Sequence, residues 1–262
     1  VDDPTEGELD TMKRTVQEAV RAGALGFSTS RSPSHMTSDD RIVASRRAPD
    51  EEVEAIVRAM GETGAGIFQL AMERGELQKM MGVYRNLAKL SKESGRPITF
   101  GSLSRKKYPG QWKALYEIIE EENLAGARIF TQVHSREINS ILSFETATPF
   151  DTWDVWNTFR QLPLEEQLHK LKTDADLRAK LVAVASRPYE GPEVVGAEAR
   201  PPEWDMFYVM DRIARPHRSM AEIAEERGVH PAQAMVDIAV EHDLKVFFLS
   251  LIHISEPTRP VL

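Results

Sequence analysis

The chain has 262 residues, 41% of them apolar, which is enough for a substantial core in one large domain or two small ones. Its 41 acidic and 33 basic residues give a net charge of −8, which disfavours binding to nucleic acid because the charge repels phosphates. The absence of cysteine excludes disulfides and a cysteine nucleophile and fits a reducing cytoplasm, and no apolar run approaches the roughly 20 residues of a membrane span.

The chain starts with "VDDPTEGELD", which has no initiator methionine and no signal-peptide character. We therefore expect that it begins inside a longer protein. The composition disfavours nucleic acid and a membrane as partners, and the small polar groups at the end of "GALGFSTSR" indicate a small-molecule substrate instead.

One type of junction occurs four times. The segments "RAGALGFST", "ETGAGIFQL", "ESGRPITFG" and "LAGARIFTQ" each follow an amphipathic stretch, place a glycine and continue as a short apolar run. The glycines are Gly23, Gly64, Gly95 and Gly126, and their spacings are 41, 31 and 31 residues. Glycine is the usual residue that ends a helix in the left-handed conformation, and an apolar run after it is typical of a parallel strand buried on both faces.

Four consecutive helix–strand units predict an α/β fold with a parallel sheet and right-handed crossovers. No glycine-rich phosphate fingerprint follows a strand, so the pattern favours part of a (β/α)₈ TIM-type barrel over a doubly wound sheet. The chain would supply only the middle strands and helices of that barrel.

After Phe130 the pattern changes to an aromatic-rich helical insertion, "SILSFETATPFDTWDVWNTF" followed by two predicted short helices. Trp153 and Trp156 would either form apolar walls over the barrel mouth or anchor the insertion. Further on, "WDMFYVMD" and "KVFFLS" are predicted strands. Two helices lie between them, with Ser219 as an N-cap bonded to Glu222.

Side chains that follow the strands of such a barrel lie at its mouth, where substrates bind. The predicted substrate-binding residues are Ser28, Ser30, Arg31, Gln69, Ser102, Gln132 and His134. Arg31 could pair through both guanidinium nitrogens with a substrate carboxylate. The alternative is that the hydroxyls cap local backbone, that Arg31 lies on the surface and that His134 is a solvated or capping histidine. No catalytic residue or metal ligand is identified, because no two histidines have a metal-binding spacing.

Several segments, in order and spacing, resemble the N-acyl-D-amino-acid deacylases (D-aminoacylases) of the amidohydrolase superfamily. They are "AVRAGALGFSTSR", "GIFQLAM", "RPITFGSL", "AGARIFTQV" and "MAEIAEERGVHPAQAMVDIAVE". The resemblance implies that 1–249 is an incomplete (β/α)₈ barrel domain and that the parent protein is a zinc-dependent hydrolase that cleaves the amide of an N-acyl (D-)amino acid or a related small amide. In such enzymes zinc activates the attacking water and a carboxylate takes its proton.

The sequence departs from that family at the metal site. An H-x-H motif does not occur, and Ala71 and Ser102 stand where the family has two further histidines. The family's late catalytic aspartate would follow the point where the resemblance ends, and we expect the segment 250–262 to be non-native. Two functions stay open: an amidohydrolase whose substrate-facing middle is this chain, inactive alone, or a barrel that binds ligands without catalysis.

Overall fold

The structure is a computed structural model in which residues 3–33, 35–39, 41–72, 75–102, 110–133, 138–188, 202–213 and 216–253 are described. The chain divides into two compact units, whose described residues run from 3 to 133 and from 138 to 253. Each unit has its own hydrophobic core. The boundary lies inside the segment 1–249 for which the sequence predicts one barrel domain.

The first unit alternates helices and strands along the chain. Its elements are α1 (Glu6–Arg21), β1 (Gly26–Ser30), α2 (Ala44–Arg47), α3 (Asp50–Gly61), β2 (Ile67–Ala71), α4 (Leu77–Ser94), β3 (Ile98–Gly101), α5 (Gln111–Leu124) and β4 (Ile129–Gln132). The strands form a four-stranded parallel sheet in the order β1-β2-β3-β4. The predicted α/β class and the four parallel strands are confirmed.

The four junction glycines lie where a helix ends and the chain turns into the next strand. All have positive φ angles, which are 107° at Gly23, 73° at Gly64, 65° at Gly95 and 93° at Gly126. The interpretation of these glycines as helix-ending residues is therefore confirmed.

The core of the first unit lies between one face of the sheet and the helices. Phe68, Leu70, Ile98, Phe100 and Ile129 are buried there against helix residues. The opposite face is different, because Ile67 is 45% exposed and Phe130 is 51% exposed. The expectation that these strands are buried on both faces is therefore wrong: helices of the described residues cover one face only.

The second unit contains a three-stranded sheet, five α-helices and a short 3-10 helix, Trp204–Met206, among its described residues. Its elements are β5 (Ile138–Leu142), α6 (Asp154–Arg160), α7 (Leu164–Thr173), α8 (Ala175–Ala185), β6 (Phe207–Met210), α9 (Met220–Arg227), α10 (Pro231–Glu241) and β7 (Phe247–His253). The strand order is β5-β7-β6, and both pairings are antiparallel.

The segments "WDMFYVMD" and "KVFFLS" contain β6 and β7 as predicted, and these strands pair antiparallel rather than in the parallel manner of the first unit. After β6 the chain folds back along the strand, since the Val209 N–H donates to the Arg218 carbonyl and Tyr208 forms an antiparallel bridge with Ser219. The chain direction is thus reversed before α9 begins. β7 also continues beyond Ser250, where the predicted non-native segment starts, and 254–262 lies outside the described residues.

Trp156 belongs to the core of the second unit. It is fully buried, and its ring centroid lies 4.9 Å from that of Phe150. Its Nε1–H donates to the Leu181 carbonyl oxygen at 3.0 Å. Trp156 therefore anchors the insertion, and the alternative of an apolar wall in a substrate pocket is wrong for this residue. Trp153 packs against the same core.

The helices of the second unit begin and end as their sequences indicate. Ser219 caps α9 in a capping box with Glu222, Gly228 ends that helix with φ of 65°, and Pro231 opens α10. The hydrogen bonds from Ser219 lower the pKa of the Glu222 carboxyl. Within the described ranges, no helix combines the length and the hydropathy that a membrane crossing requires.

Candidate functional site

Four of the predicted substrate-binding residues lie on the sheet face that the helices leave uncovered. In the parallel register Ser28 pairs with Gln69, Gln69 with Thr99, and Gly101 with Gln132. Residues paired in register share a face, and side chains alternate along each strand. Ser28, Gln69 and Gln132, together with Ser30 two residues beyond Ser28, therefore lie on one side of the sheet.

We call this side the open face. Its members are Gly26, Ser28, Ser30, Ile67, Gln69, Ala71, Thr99, Gly101, Phe130 and Gln132. Their polar side chains are hydroxyls and primary amides, so the face offers both donors and acceptors of hydrogen bonds. None of the ten side chains is ionisable. The open face can therefore bind and orient a polar ligand, but it holds no group that could transfer a proton near neutral pH.

Thr99 is a member of the open face that the sequence analysis missed. Its Oγ1 accepts a hydrogen bond of 3.2 Å from the Gln132 Nε2, which links β3 to β4. The bond orients the Gln132 amide, whose oxygen accepts no hydrogen bond from the described residues. The signal was present in "ITFG", where a threonine alternates with two buried apolar residues.

Ser102 does not lie with these residues. It follows Gly101 by one position, so alternation directs its side chain to the helix-covered side, where it is buried and hydrogen-bonds to Tyr84. Burial raises the pKa of the Tyr84 hydroxyl, and the bond with Ser102 opposes part of that rise. Ser102 therefore packs in the core of the first unit, and its predicted contact with substrate stays a prediction.

Arg31 is also engaged within the chain. Its Nη1 donates to the carbonyl of Ser45 at 3.0 Å and to that of Ala48, and its Nη2 lies 2.9 Å from Oδ1 of Asp50. The side chain is only 15% exposed. These three acceptors engage the guanidinium within the chain, and its predicted pairing with a substrate carboxylate stays a prediction. Arg31 ties the segment after β1 to the start of α3.

His134 lies outside the described residues, so its predicted contact with substrate stays a prediction. The zinc site implied by the resemblance does not fit the residues that are described. Across those residues, no three His, Cys, Asp or Glu side chains come together in a group that could hold a metal ion. Ala71 lies on the open face and Ser102 in the core, so neither of these positions supplies a ligand.

A cavity of about 920 Å³ lies on the other side of β1, among α1, α2 and α3. Its apolar floor includes Met12, Val16, Phe27 and Val53. Since Phe27 and Thr29 alternate with Ser28 and Ser30 along β1, this cavity is distinct from the open face. The sequence analysis did not predict it.

No protein-family profile matches the chain, and no curated protein matches it. Among solved structures, the chain is similar to N-acyl-D-glutamate deacylase from Bordetella bronchiseptica, whose crystal structure contains zinc and a phosphonate mimic of the tetrahedral intermediate. The identity is 13% and the TM-score is 0.45, over 97% of this chain and 40% of that one. The chain thus spans less than half the length of this protein, and the family suggested by the sequence motifs stays a prediction.

Proposed function

We propose that the open face is the substrate-contacting surface of a hydrolase that cleaves the amide bond of an N-acyl amino acid or a related small amide. The observation that carries the proposal is the convergence of Ser28, Ser30, Gln69 and Gln132 on one side of the sheet, with Ser30 and Gln132 at the carboxyl ends of β1 and β4. In parallel α/β barrels this end of the sheet is where substrates bind. The ordered sequence motifs that resemble N-acyl-D-amino-acid deacylases suggest the substrate class.

The contribution of this chain would be to bind and orient the substrate. An N-acyl amino acid presents an amide N–H, an amide carbonyl and a carboxylate. The Gln69 and Gln132 amides can donate to the carbonyl oxygens, the Gln132 oxygen can accept from the N–H, and the serine hydroxyls can donate to the carboxylate. Fixing the scissile amide in one orientation lowers the barrier to attack by water. The described residues do not fit a zinc site, and the proposal contains no step through a metal.

The second candidate function is ligand binding without turnover. It is favoured by the absence of any ionisable side chain among the ten residues of the open face, since amide hydrolysis needs a group that activates water. Both functions predict binding of an N-acyl amino acid at the open face. They differ in whether the bound amide is cleaved.

Binding is tested by titration calorimetry of the chain with N-acetyl-D-amino acids. We expect Gln69→Ala and Gln132→Ala each to weaken binding at least fivefold, because each removes two donors and an acceptor. Gln78→Ala is the matched control, since Gln78 is exposed on α4 and makes no side-chain hydrogen bond within the described residues. No measurable binding, or equal affinity in all four proteins, would refute the proposed site.

Turnover is tested on the protein encoded by the complete reading frame. Release of free amino acid, with kcat/KM reduced by Gln69→Ala and Gln132→Ala but not by Gln78→Ala, would support the hydrolase. Binding that depends on the two glutamines, with no release of amino acid, would support the binding function instead.

A further inference from the structure

The cavity of about 920 Å³ among α1, α2 and α3 takes no part in the proposed function. Its walls come from these three helices, and its floor includes side chains on the helix-covered face of β1. A cavity of this size is within the range that binds small organic molecules. The chemistry of its lining therefore decides which class of molecule it would select.

The floor of the cavity is apolar and includes an aromatic ring. Val53 and Ile56 of α3 are buried, whereas Met12, Val16 and Phe27 are only half-buried. An aromatic ligand could pack against the Phe27 ring, and a methionine thioether such as that of Met12 makes favourable contacts with aromatic rings. The apolar part of a ligand is therefore best matched by a flat aromatic body.

The threonine hydroxyls that line the cavity at α1 have their hydrogens engaged within the chain. The Thr5 hydroxyl donates at 2.8 Å to a carboxylate three residues on. The Thr11 and Thr15 hydroxyls each donate at 2.8 Å to the carbonyl oxygen four residues earlier. The hydroxyl oxygens keep lone pairs that can accept, while Thr29 and Ser45 elsewhere in the lining can act in either direction. This wall therefore favours a ligand that donates hydrogen bonds.

The charged side chains around the cavity favour a cation. Among the described residues, the lining contains three carboxylates, from Asp3, Glu8 and Glu52, against one guanidinium, from Arg47. Hydrogen bonds from Thr5 lower the pKa of the Glu8 carboxyl, so this group is ionised at neutral pH. The N-termini of α1 and α3 also lie at the cavity and add roughly half a positive charge each, which leaves the sum negative.

We propose that this cavity binds a small aromatic amine, with its ring on the apolar floor and its ammonium group beside Glu52. The Glu8 carboxylate already accepts from the Thr5 N–H and hydroxyl. Glu52 is half-buried and forms no hydrogen bond or ion pair within the described part of the chain, so it can accept from the ammonium group. Such charge-assisted hydrogen bonds are roughly twice as strong as neutral ones. The inference is independent of the proposed function, because the cavity and the open face lie on opposite sides of β1.

The first test compares three probes that share one ring system: naphthylethylamine, naphthylethanol and naphthylacetate. Titration calorimetry of the full chain near neutral pH measures the affinity of each. We expect the amine to bind about tenfold more tightly than the alcohol, and the carboxylate to bind most weakly, because the lining repels it. No binding of the amine, equal affinity for the amine and the alcohol, or tighter binding of the carboxylate would overturn the proposal.

The second test locates the ammonium group. Glu52→Gln removes the charge and keeps the size of the side chain, so we expect it to weaken binding of the amine about fivefold and to leave binding of the alcohol unchanged. Glu51→Gln is the matched control, because Glu51 also lies in the first turn of α3 but outside the residues that line the cavity. Equal affinities of the two variants for the amine would refute the role of Glu52.

The third test locates the ring. Thr11 is exposed on α1 and lines the cavity, so Thr11→Trp should fill it and weaken binding of the amine and the alcohol alike. Ala19→Trp is the control, because Ala19 is exposed on the same helix and does not line the cavity. Unchanged binding in Thr11→Trp, or an equal loss in Ala19→Trp, would place the ligand outside this cavity and overturn the proposal.

Discussion

The local sequence around Arg31 is compatible with two roles, binding of a ligand and support of a loop. An arginine directly after a strand tip is well placed to meet an anionic ligand. In the structure its guanidinium is instead bonded to carbonyls 14 and 17 residues further along the chain. The ion pair with Asp50 adds little, because the Asp50 side chain is 78% exposed. Arg31 is therefore a residue that holds a loop closed.

We predict that Arg31→Ala lowers the free energy of unfolding by about 1–3 kcal/mol, since it leaves two partly buried carbonyls without their donor. Arg31→Lys should lose less, because an ammonium can still bond to one of them. Urea unfolding monitored by circular dichroism measures both. Arg47→Ala is the control, since Arg47 is exposed on α2 and has no hydrogen bond in the described part of the chain. Equal midpoints for Arg31→Ala and Arg47→Ala would contradict the structural role.

Tyr84 makes the stability of the first unit dependent on alkaline pH. Its pKa is raised in the folded state, so the folded protein keeps this proton when the unfolded chain has begun to lose it. The stability that Tyr84 contributes is therefore complete below the ordinary tyrosine pKa of about 10 and is lost as the pH rises through the folded pKa. The Ser102 hydrogen bond lowers the pKa of folded Tyr84. It therefore narrows the pH range over which this stability is lost.

We predict that Tyr84→Phe costs about 1 kcal/mol at pH 8, where it removes the hydrogen bond with Ser102, and that its deficit shrinks at pH 10.5 and above. Ser102→Ala should increase the loss of folding stability at alkaline pH, because the pKa of Tyr84 then rises further. Urea midpoints at the two pH values measure both effects. A deficit of Tyr84→Phe that does not change with pH would contradict this account.

At the scale of elements, β1 and β2 approach each other closely at Gly26. A Cβ at this position would lie well inside van der Waals contact of the Ile67 carbonyl oxygen, and the φ angle of 154° is one that other residues rarely adopt. Gly23, three residues earlier, also has positive φ, but a Cβ there would meet nothing within 4 Å. A substitution at Gly23 therefore has the energetic cost of the backbone conformation alone, whereas a substitution at Gly26 adds the cost of a steric clash.

We predict that Gly26→Ala destabilises the protein by at least about 2 kcal/mol, because strain and a clash with backbone add together. Gly23→Ala should cost about 1 kcal/mol, from the left-handed conformation alone. Chemical unfolding gives the difference, and hydrogen exchange of the β1 and β2 amides shows where it acts. If Gly23→Ala proves as costly as Gly26→Ala, the close approach of the two strands is not what requires the glycine.

The parallel strands of the first unit could be predicted because each is preceded by a helix-ending glycine and is itself an apolar run. Both features can be seen in the local sequence of each junction. The direction of β6 and β7 could not be predicted in the same way, because it depends on the fold-back between Val209 and Arg218. Predicting a strand does not predict its partner or its direction.

The candidate site was predictable to the extent that it depends on alternation along strands. The parallel register and the alternation of side chains along each strand place four predicted residues on one face: Ser28, Ser30, Gln69 and Gln132. Ser102 follows Gly101 by one residue, which is enough to place its side chain on the other face of the sheet. Arg31 could not be assigned from its neighbours, since its hydrogen-bond partners lie on α2 and beyond.

For the whole molecule, we predict that the purified chain does not retain zinc in stoichiometric amount. The sequence contains no pair of histidines at metal-binding spacing, and the described residues form no group of three ligands. The measurement is elemental analysis after dialysis against a mild chelator. One zinc ion per chain after that treatment would require ligands from residues that the structure does not describe, and would overturn the prediction.

In the first unit, the connections at the amino ends of the strands and those at the carboxyl ends differ in how readily they could accept insertions and deletions during evolution. At the amino ends, each helix is joined to the next strand by a few residues around a glycine, such as 22–25 before β1. One added residue there would shift a strand by one position and exchange its buried and open sides. At the carboxyl ends the connection after β1 already holds an extra helix, α2, while β1 and β2 keep their register. Insertions and deletions among relatives of this chain should therefore accumulate at the carboxyl ends, so that the residues around the open face diversify while the sheet beneath them keeps its length and pairing.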